Sequence, residues 1–229
     1  MSIKYAHKIR HILSPKGHEI AFYEYLIDKS YPNIFILGGF HGDEIEGEYA
    51  VLQFMKELET KENIQSLYNI YFLPCLNPDG KENCSRFNIN KVDLNRNYPT
   101  QNFKNKTQTL GYESVTCEAP ASEKETRFMI SLVEEYHPQA IVSIHSDLHL
   151  IDYDGPAQKL AQLFADKTGY RIVESVGYET PGSFGTWAGI ERKIPVITLE
   201  TWRGKTDEDL EKIWQEIRPA FYAMLSFQL

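Results

Sequence analysis

The chain has 229 residues, with 24 Lys+Arg against 32 Asp+Glu and a formal charge of −8. At 42% hydrophobic and 24% charged it has globular composition, which excludes a disordered polyelectrolyte and a fibrous repeat, and its length suits one sizeable α/β domain. The acidic balance argues against a nucleic-acid binder, whose affinity rests on basic patches, and no apolar run reaches the roughly 20 residues of a membrane span.

The N-terminal segment MSIKYAHKIRHIL carries basic residues without the apolar stretch of a secretory signal, so the expectation is a cytoplasmic protein that does not engage a membrane. Ile9 to Tyr25 reads as a hairpin turning at Pro15-Lys16-Gly17. Four short, β-branched, almost continuously apolar runs read as buried strands: Asn33–Leu37 (NIFIL), Ile70–Leu73 (IYFL), Ala140–Ile144 (AIVSI) and Pro195–Leu199 (PVITL). Helical patterns lie between and after them. Ile45 to Leu58 follows the first strand. Glu123 to Tyr136 is preceded by Ser122 with Glu125 three residues on, a capping-box signature, and stops before His137-Pro138. Pro156 to Lys167 closes at Thr168-Gly169, and Asp207 to about Phe227 is capped by Thr206 with Asp209. This alternation predicts a single α/β domain over residues 1–229, with a mixed, mostly parallel central sheet flanked by helices. Asn77 to Pro120 is the least regular stretch, and long loops of this kind are functional or disordered. The three cysteines, Cys75, Cys84 and Cys117, form no CxxC pair and read as ordinary thiols.

Three strands end in reactive residues. After IFILGG comes Phe40-His41-Gly42-Asp43-Glu44, after AIVSI comes His145, and after PVITL comes Glu200. Ligands of open α/β sheets bind outside the carboxyl ends of the strands, so these residues are expected to converge on one crevice. His41 and Glu44, three apart where strand turns into helix, can reach one cation, and with His145 they make a two-histidine, one-glutamate set that leaves a position open on zinc. Glu200 is then a carboxylate outside that set, suited to take a proton from water and pass it to a leaving amine. Each residue also has a plainer reading: H-x-x-E arises by chance, His145 suits a hydrogen-bonded core position, and Glu200 suits an ion pair with Arg203. The plain readings must hold independently at three strand ends.

Within the irregular stretch, Asn77-Pro78-Asp79-Gly80 is a strong turn signal. Arg86 follows, and then Val92-Asp93-Leu94-Asn95-Arg96-Asn97-Tyr98-Pro99. An amide beside a guanidinium suits a carboxylate, although Arg96 alone also reads as a solvated loop residue.

HGDE with His145 and Glu200, NPDG, DLNRNYP and the later GYETPGSFGTW stretch together resemble the zinc carboxypeptidase family, and within it the bacterial murein peptide amidases. The resemblance spans roughly Asn33 to Trp202. It implies one zinc ion held by His41, Glu44 and His145, with Glu200 as general base and proton shuttle. It implies that Arg86 stabilises the tetrahedral oxyanion, that Asn95 and Arg96 receive the substrate's terminal carboxylate, and that Tyr178 falls where the family has a mobile tyrosine. The implied reaction is hydrolysis of the γ-D-glutamyl–meso-diaminopimelate bond in small murein peptides, with a murein tripeptide as the expected substrate. Deacylation of N-acyl amino acids, as by succinylglutamate desuccinylases and aspartoacylases, is the alternative, since those enzymes share H-x-x-E and an Asn-Arg pair. Asp147, His149, Asp152 and Asp154 are candidates for recognising the diaminopimelate side chain by position only, and singly each reads as part of a solvated acidic loop.

Overall fold

The computed structural model describes residues 6–61, 64–107, 115–173 and 177–229. The N-terminal hairpin pairs β1 (His7–Leu13) with β2 (Glu19–Tyr25) in antiparallel fashion. Then come β3 (Asn33–Leu37), α1 (Ile45–Thr60), β4 (Asn69–Leu73) and the short α2 (Pro78–Glu82). A 3₁₀ turn at Leu94–Arg96 and a small two-stranded ribbon, β5 (Lys106–Thr107) with β6 (Val115–Thr116), occupy the stretch expected to be irregular. The rest of the chain supplies α3 (Lys124–Tyr136), β7 (Ala140–Ser146), β8 (Leu150–Asp154), α4 (Gln158–Thr168), β9 (Arg171–Val173), a π-helical turn at Thr186–Ile190, β10 (Val196–Thr201) and α5 (Asp207–Leu225).

Eight strands form one mixed sheet in the order β1-β2-β4-β3-β7-β10-β8-β9. The β4-β3-β7-β10 centre is parallel, whereas β2 and β8 join it antiparallel. Alternating residues of the central strands feed two cores. Ile34, Ile36, Val142, Ile144, Ile197 and Leu199 pack on one face with Phe54, Phe164, Trp214 and Phe221, from α1, α4 and α5. Phe35, Leu37, Ile141 and Val196 pack on the other with Phe128, Met129 and Leu132 of α3 and with Trp187. Burial on both faces explains why these strands read as unbroken apolar runs.

Two local expectations meet different fates. Thr206 and Asp209 form the reciprocal capping box at the start of α5. Ser122 does not cap α3; Glu123 holds that position, and the Ser122 hydroxyl bonds the Glu123 carboxylate and Asn97 instead. The reason is competition: the Ser122 hydroxyl accepts from Asn97 Nδ2 and donates to Glu123, the Ser122 N–H donates to the Ala119 carbonyl, and Asn88 Nδ2 donates to the Glu125 carboxylate, so the loop network takes groups a capping box needs. Among the described residues no helix is long and apolar enough to cross a membrane, and the three cysteines are free thiols.

Candidate active site

β3, β7 and β10 are not sequence neighbours, but β7 lies between the other two in the sheet. Their carboxyl ends therefore deliver the HGDE loop, His145 and Glu200 to one place, with Glu200 in register beside His145. A cavity of about 460 Å³ opens there, bordered by all eight residues singled out from sequence: His41, Glu44, Arg86, Asn95, Arg96, His145, Tyr178 and Glu200.

His41 Nδ1 stands 2.8 Å from Glu44 Oε1, and His145 Nδ1 stands 2.8 Å from Glu44 Oε2. The two Nδ1 atoms are 3.3 Å apart. Ligands about 2.0–2.1 Å from a tetrahedral ion stand about 3.3 Å from one another, so this buried set fits zinc. Glu44 holds the N-cap position of α1, yet its side chain makes no capping bond and turns to the imidazoles. Both carboxylate oxygens of Glu44 are thus committed to the imidazoles and neither to the helix end.

Asp93 orders this set from behind. Its Oδ1 lies 3.2 Å from His41 Nε2, and its Oδ2 accepts from Arg86 Nε at 2.9 Å. A proton held on Nε2 by Asp93 leaves the Nδ1 lone pair for a metal, the usual service of a carboxylate behind a ligating histidine. Burial alone would raise the Asp93 carboxyl, but Arg86 and His41 hold it well below the usual range. Burial likewise opposes ionisation of Glu44, and the two imidazoles overcome it. Burial and Arg86 push His41 down, but Glu44 and Asp93 prevail and raise it; burial wins at His145 and lowers it. Sequence reasoning gave Asp93 no role, although an acid two residues before an Asn-Arg pair was the available signal. Asp93→Asn is expected to weaken zinc binding roughly 10–100-fold, measured by competition with a chromogenic chelator.

Glu200 sits outside the donor set. Its Oε2 is buried without a hydrogen-bond partner, and burial together with the nearby Glu44 pushes the carboxyl up to about 8. A divalent cation beside Glu44 offsets that negative charge and draws Glu200 back toward ionisation. Glu200 does not pair with Arg203, whose guanidinium bonds the Asp43 carbonyl instead. Arg86 leans over the donor set, its Nη1 3.5 Å from Glu44 Oε1.

On the cationic side, Phe184 N–H donates to Asn95 Oδ1 at 2.9 Å, which leaves the NH₂ end of that amide to donate. Arg96 is only 3% exposed, and its Nε has no partner. The TPGSFG segment is what holds this turn: Gly182 lies at φ +71, and a Cβ there would overlap the Arg96 carbonyl. Close backbone contact also joins HGDE to NPDG, since a Cβ at Gly42 would collide with Gly80. NPDG itself does not face the cavity. Its Asp79 is fully buried and receives Lys16 N–H and His18 Nδ1, anchoring the β1–β2 hairpin turn.

Of the four positional candidates, His149 is exposed against Tyr170 and Glu216, away from the cavity, and Asp147 is exposed at its edge. Asp152 and Asp154 are not in an acidic loop; they lie on β8 and border the cavity. Burial, reinforced by Asp154, pushes Asp152 up to about 7. The native state thus keeps a proton that the unfolded chain releases near pH 4, and the resulting stability is lost as pH rises from about 4 through about 7. Asp152→Asn removes that loss, so its melting temperature is expected to exceed wild type above pH 7 and to match it near pH 4, by thermal denaturation.

Two imidazoles and a carboxylate poised for zinc, beside a buried carboxylate and a guanidinium–amide arm, define a metallopeptidase of the carboxypeptidase type. Residues 16–171 match the zinc carboxypeptidase family, and the chain belongs to it. It is 34% identical over 186 residues to murein peptide amidase A of Escherichia coli (strain K12), a match covering 77% of this chain and 74% of that protein. The Vibrio campbellii murein peptide amidase A is also 34% identical, over 189 residues, with 77% and 72% covered. The crystal structure of murein-tripeptide amidase from Escherichia coli O157 superposes with a TM-score of 0.78 at 27% identity, over 100% of both chains. Thrombin-activatable fibrinolysis inhibitor shares the fold, with a TM-score of 0.79 at 19% identity over 97% of this chain and 69% of that one.

Proposed function

We propose that residues 1–229 act as one zinc peptidase domain that hydrolyses the γ-D-glutamyl–meso-diaminopimelate bond of murein peptides. The observation that carries this reading is the meeting, in one cavity, of the donor set, Glu200 and the Arg86/Asn95/Arg96 arm, in a chain similar to murein peptide amidases over most of its length.

When bound by His41, Glu44 and His145, zinc supplies Lewis acidity toward the scissile carbonyl and the attacking water. Glu200 takes the proton of that water as it attacks and delivers it to the departing amine, so acid and base are one carboxyl used twice. Arg86 offers positive charge to the developing oxyanion, which matters most in the transition state. Asn95 and Arg96 receive the terminal carboxylate through an amide and a planar guanidinium. Tyr178 is half-buried at the cavity wall, near Arg96, Arg86 and Glu200, and closes the site around the substrate. Overall charge is −8, but this arm presents local positive charge that attracts an anionic peptide. The three unpaired thiols support a reducing, cytoplasmic setting, in which the substrates are recovered wall fragments.

A side-by-side assay of a murein tripeptide and N-succinyl-glutamate tests the reading. Faster hydrolysis of the tripeptide is expected; faster hydrolysis of the succinyl amide would place the chain with the deacylases instead.

A further inference from the structure

Besides Arg86 and Arg96, a third arginine borders the cavity, and the hydrolytic steps do not use it. Arg203 follows Glu200 by three residues, just beyond the carboxyl end of β10. Its Nη1 donates to the Asp43 carbonyl, inside the HGDE loop between His41 and Glu44. The guanidinium is thereby held against the loop that carries two of the three zinc donors. The backbone beside it is fixed as well. Gly204 N–H donates at 2.7 Å to Glu46, a residue 1% exposed whose other carboxylate oxygen accepts from Ser146 Oγ at 2.9 Å. Glu46 thus ties the turn after β10 both to α1 and to the neighbour of His145.

Arg203 and the Asn95/Arg96 arm reach the cavity from opposite faces of the sheet. Leu94 and Tyr98, which flank the arm, pack in the core on the α3 side with Phe184 and Trp187. Trp202, beside Arg203, packs against the core on the α1 and α5 side, and a Cβ at Gly204 would meet Leu210 and Ile213 of α5. The zinc donors stand at the strand ends between these two layers. A peptide with its terminal carboxylate on Asn95 and Arg96 and its scissile carbonyl at the donor set therefore carries its acyl side toward Arg203. The contact with the Asp43 carbonyl occupies one of the five guanidinium N–H donors, and the Asp43 carboxylate stands 4.0 Å from Nη2, beyond hydrogen-bond length. Arg203, its side chain 30% exposed, thus offers its remaining donors to the cavity as a planar fork that matches a carboxylate.

We propose that Arg203 is a specificity-determining residue that binds a free carboxylate on the acyl side of the scissile bond. This rests on the peptidase reading, which fixes the direction in which the substrate lies. In a γ-glutamyl peptide the α-carboxylate is not consumed in the bond to be cut; it branches from the acyl residue as an anion close to the scissile carbonyl. An α-linked peptide of an uncharged residue offers no such anion. Arg203 therefore favours the γ-glutamyl linkage itself, whatever residue follows it. A donor left unmatched penalises an analogue that lacks the acceptor, and the partial exposure of Arg203 lets water offset part of that penalty, so the discrimination is moderate.

The test compares L-alanyl-γ-D-glutamyl-meso-diaminopimelate with its glutamyl α-carboxamide, which keeps the shape and removes the charge. The acyl products, L-alanyl-D-glutamate and L-alanyl-D-isoglutamine, are compared in calorimetric binding to the zinc-loaded protein. Wild type is expected to favour the acid over the amide by roughly 10–30-fold, in kcat/KM for the tripeptides and in affinity for the products. In Arg203→Gln both ratios are expected to fall below about threefold, a change of selectivity that the loss of a merely structural contact does not produce. Thermal melting checks the folding of the variant. Should it not fold, wild type alone still decides, because its preference for the acid is expected to shrink by about half or more between roughly 0.05 and 0.5 M salt. Equal treatment of acid and amide by wild type, a preference indifferent to salt, or an undiminished ratio in folded Arg203→Gln would overturn the proposal. Hydrolysis of both tripeptides at equal rates would sink the carboxylate site and leave the peptidase reading intact. Hydrolysis of neither, with the acid product still preferred by wild type and not by Arg203→Gln, would sink the peptidase reading and leave the site standing.

Discussion

Glu200→Gln is expected to lower kcat on a murein tripeptide by about 10³–10⁴-fold, the upper range for a general acid–base group, while zinc stays bound. Glutamine keeps the shape of the side chain but can neither take the proton of the attacking water nor return it to the amine. Retention of metal follows from geometry, because Glu200 is in register with His145 but outside the three-residue donor set. Folding is expected to survive as well, since the buried Glu200 Oε2 has no hydrogen-bond partner to lose. Zinc content, melting temperature and turnover measured on one preparation separate these effects. Turnover within tenfold of wild type would remove Glu200 from the proton-transfer role.

His145→Ala is expected to cost more, because it removes a ligand rather than a proton carrier. The two remaining donors, His41 Nδ1 and Glu44, leave zinc with half of a tetrahedral shell, and affinity should drop well beyond the roughly 10–100-fold due to an outer partner such as Asp93. A ligand that binds only the native state stabilises by about 2.7 kcal/mol at a hundredfold excess over its Kd. Chelator should therefore lower the melting temperature of wild type and leave that of His145→Ala unchanged. A variant that still melts lower after chelation would show that the metal lies elsewhere.

How far the site can be read from sequence depends on which interaction shapes each residue's surroundings. His41, Glu44, His145 and Glu200 are legible because two-sided burial writes β3, β7 and β10 as apolar runs, and reactive residues at their carboxyl ends stand out. β8 was not legible: in LIDYD the cavity-facing aspartates give the polar signature of a loop, so the acidic wall was hidden by its own chemistry. Asp93 and Asp79 were obscured in another way. Both are fully buried acids in a stretch whose local pattern says loop, and each has a partner far along the chain, His41 for one and His18 and Lys16 for the other. The same long-range competition displaced Ser122 from its capping role, whereas Thr206 and Asp209, at an exposed helix end with no such competitors, met the local rule.

The most direct measurement is mass-spectrometric identification of the products from a mixed murein peptide digest, with and without prior removal of zinc. Free meso-diaminopimelate and the peptide ending in γ-D-glutamate are the products expected, formed by the zinc-loaded protein and absent after chelation. Release of a different residue, cleavage at another bond, or full activity without metal would contradict the account.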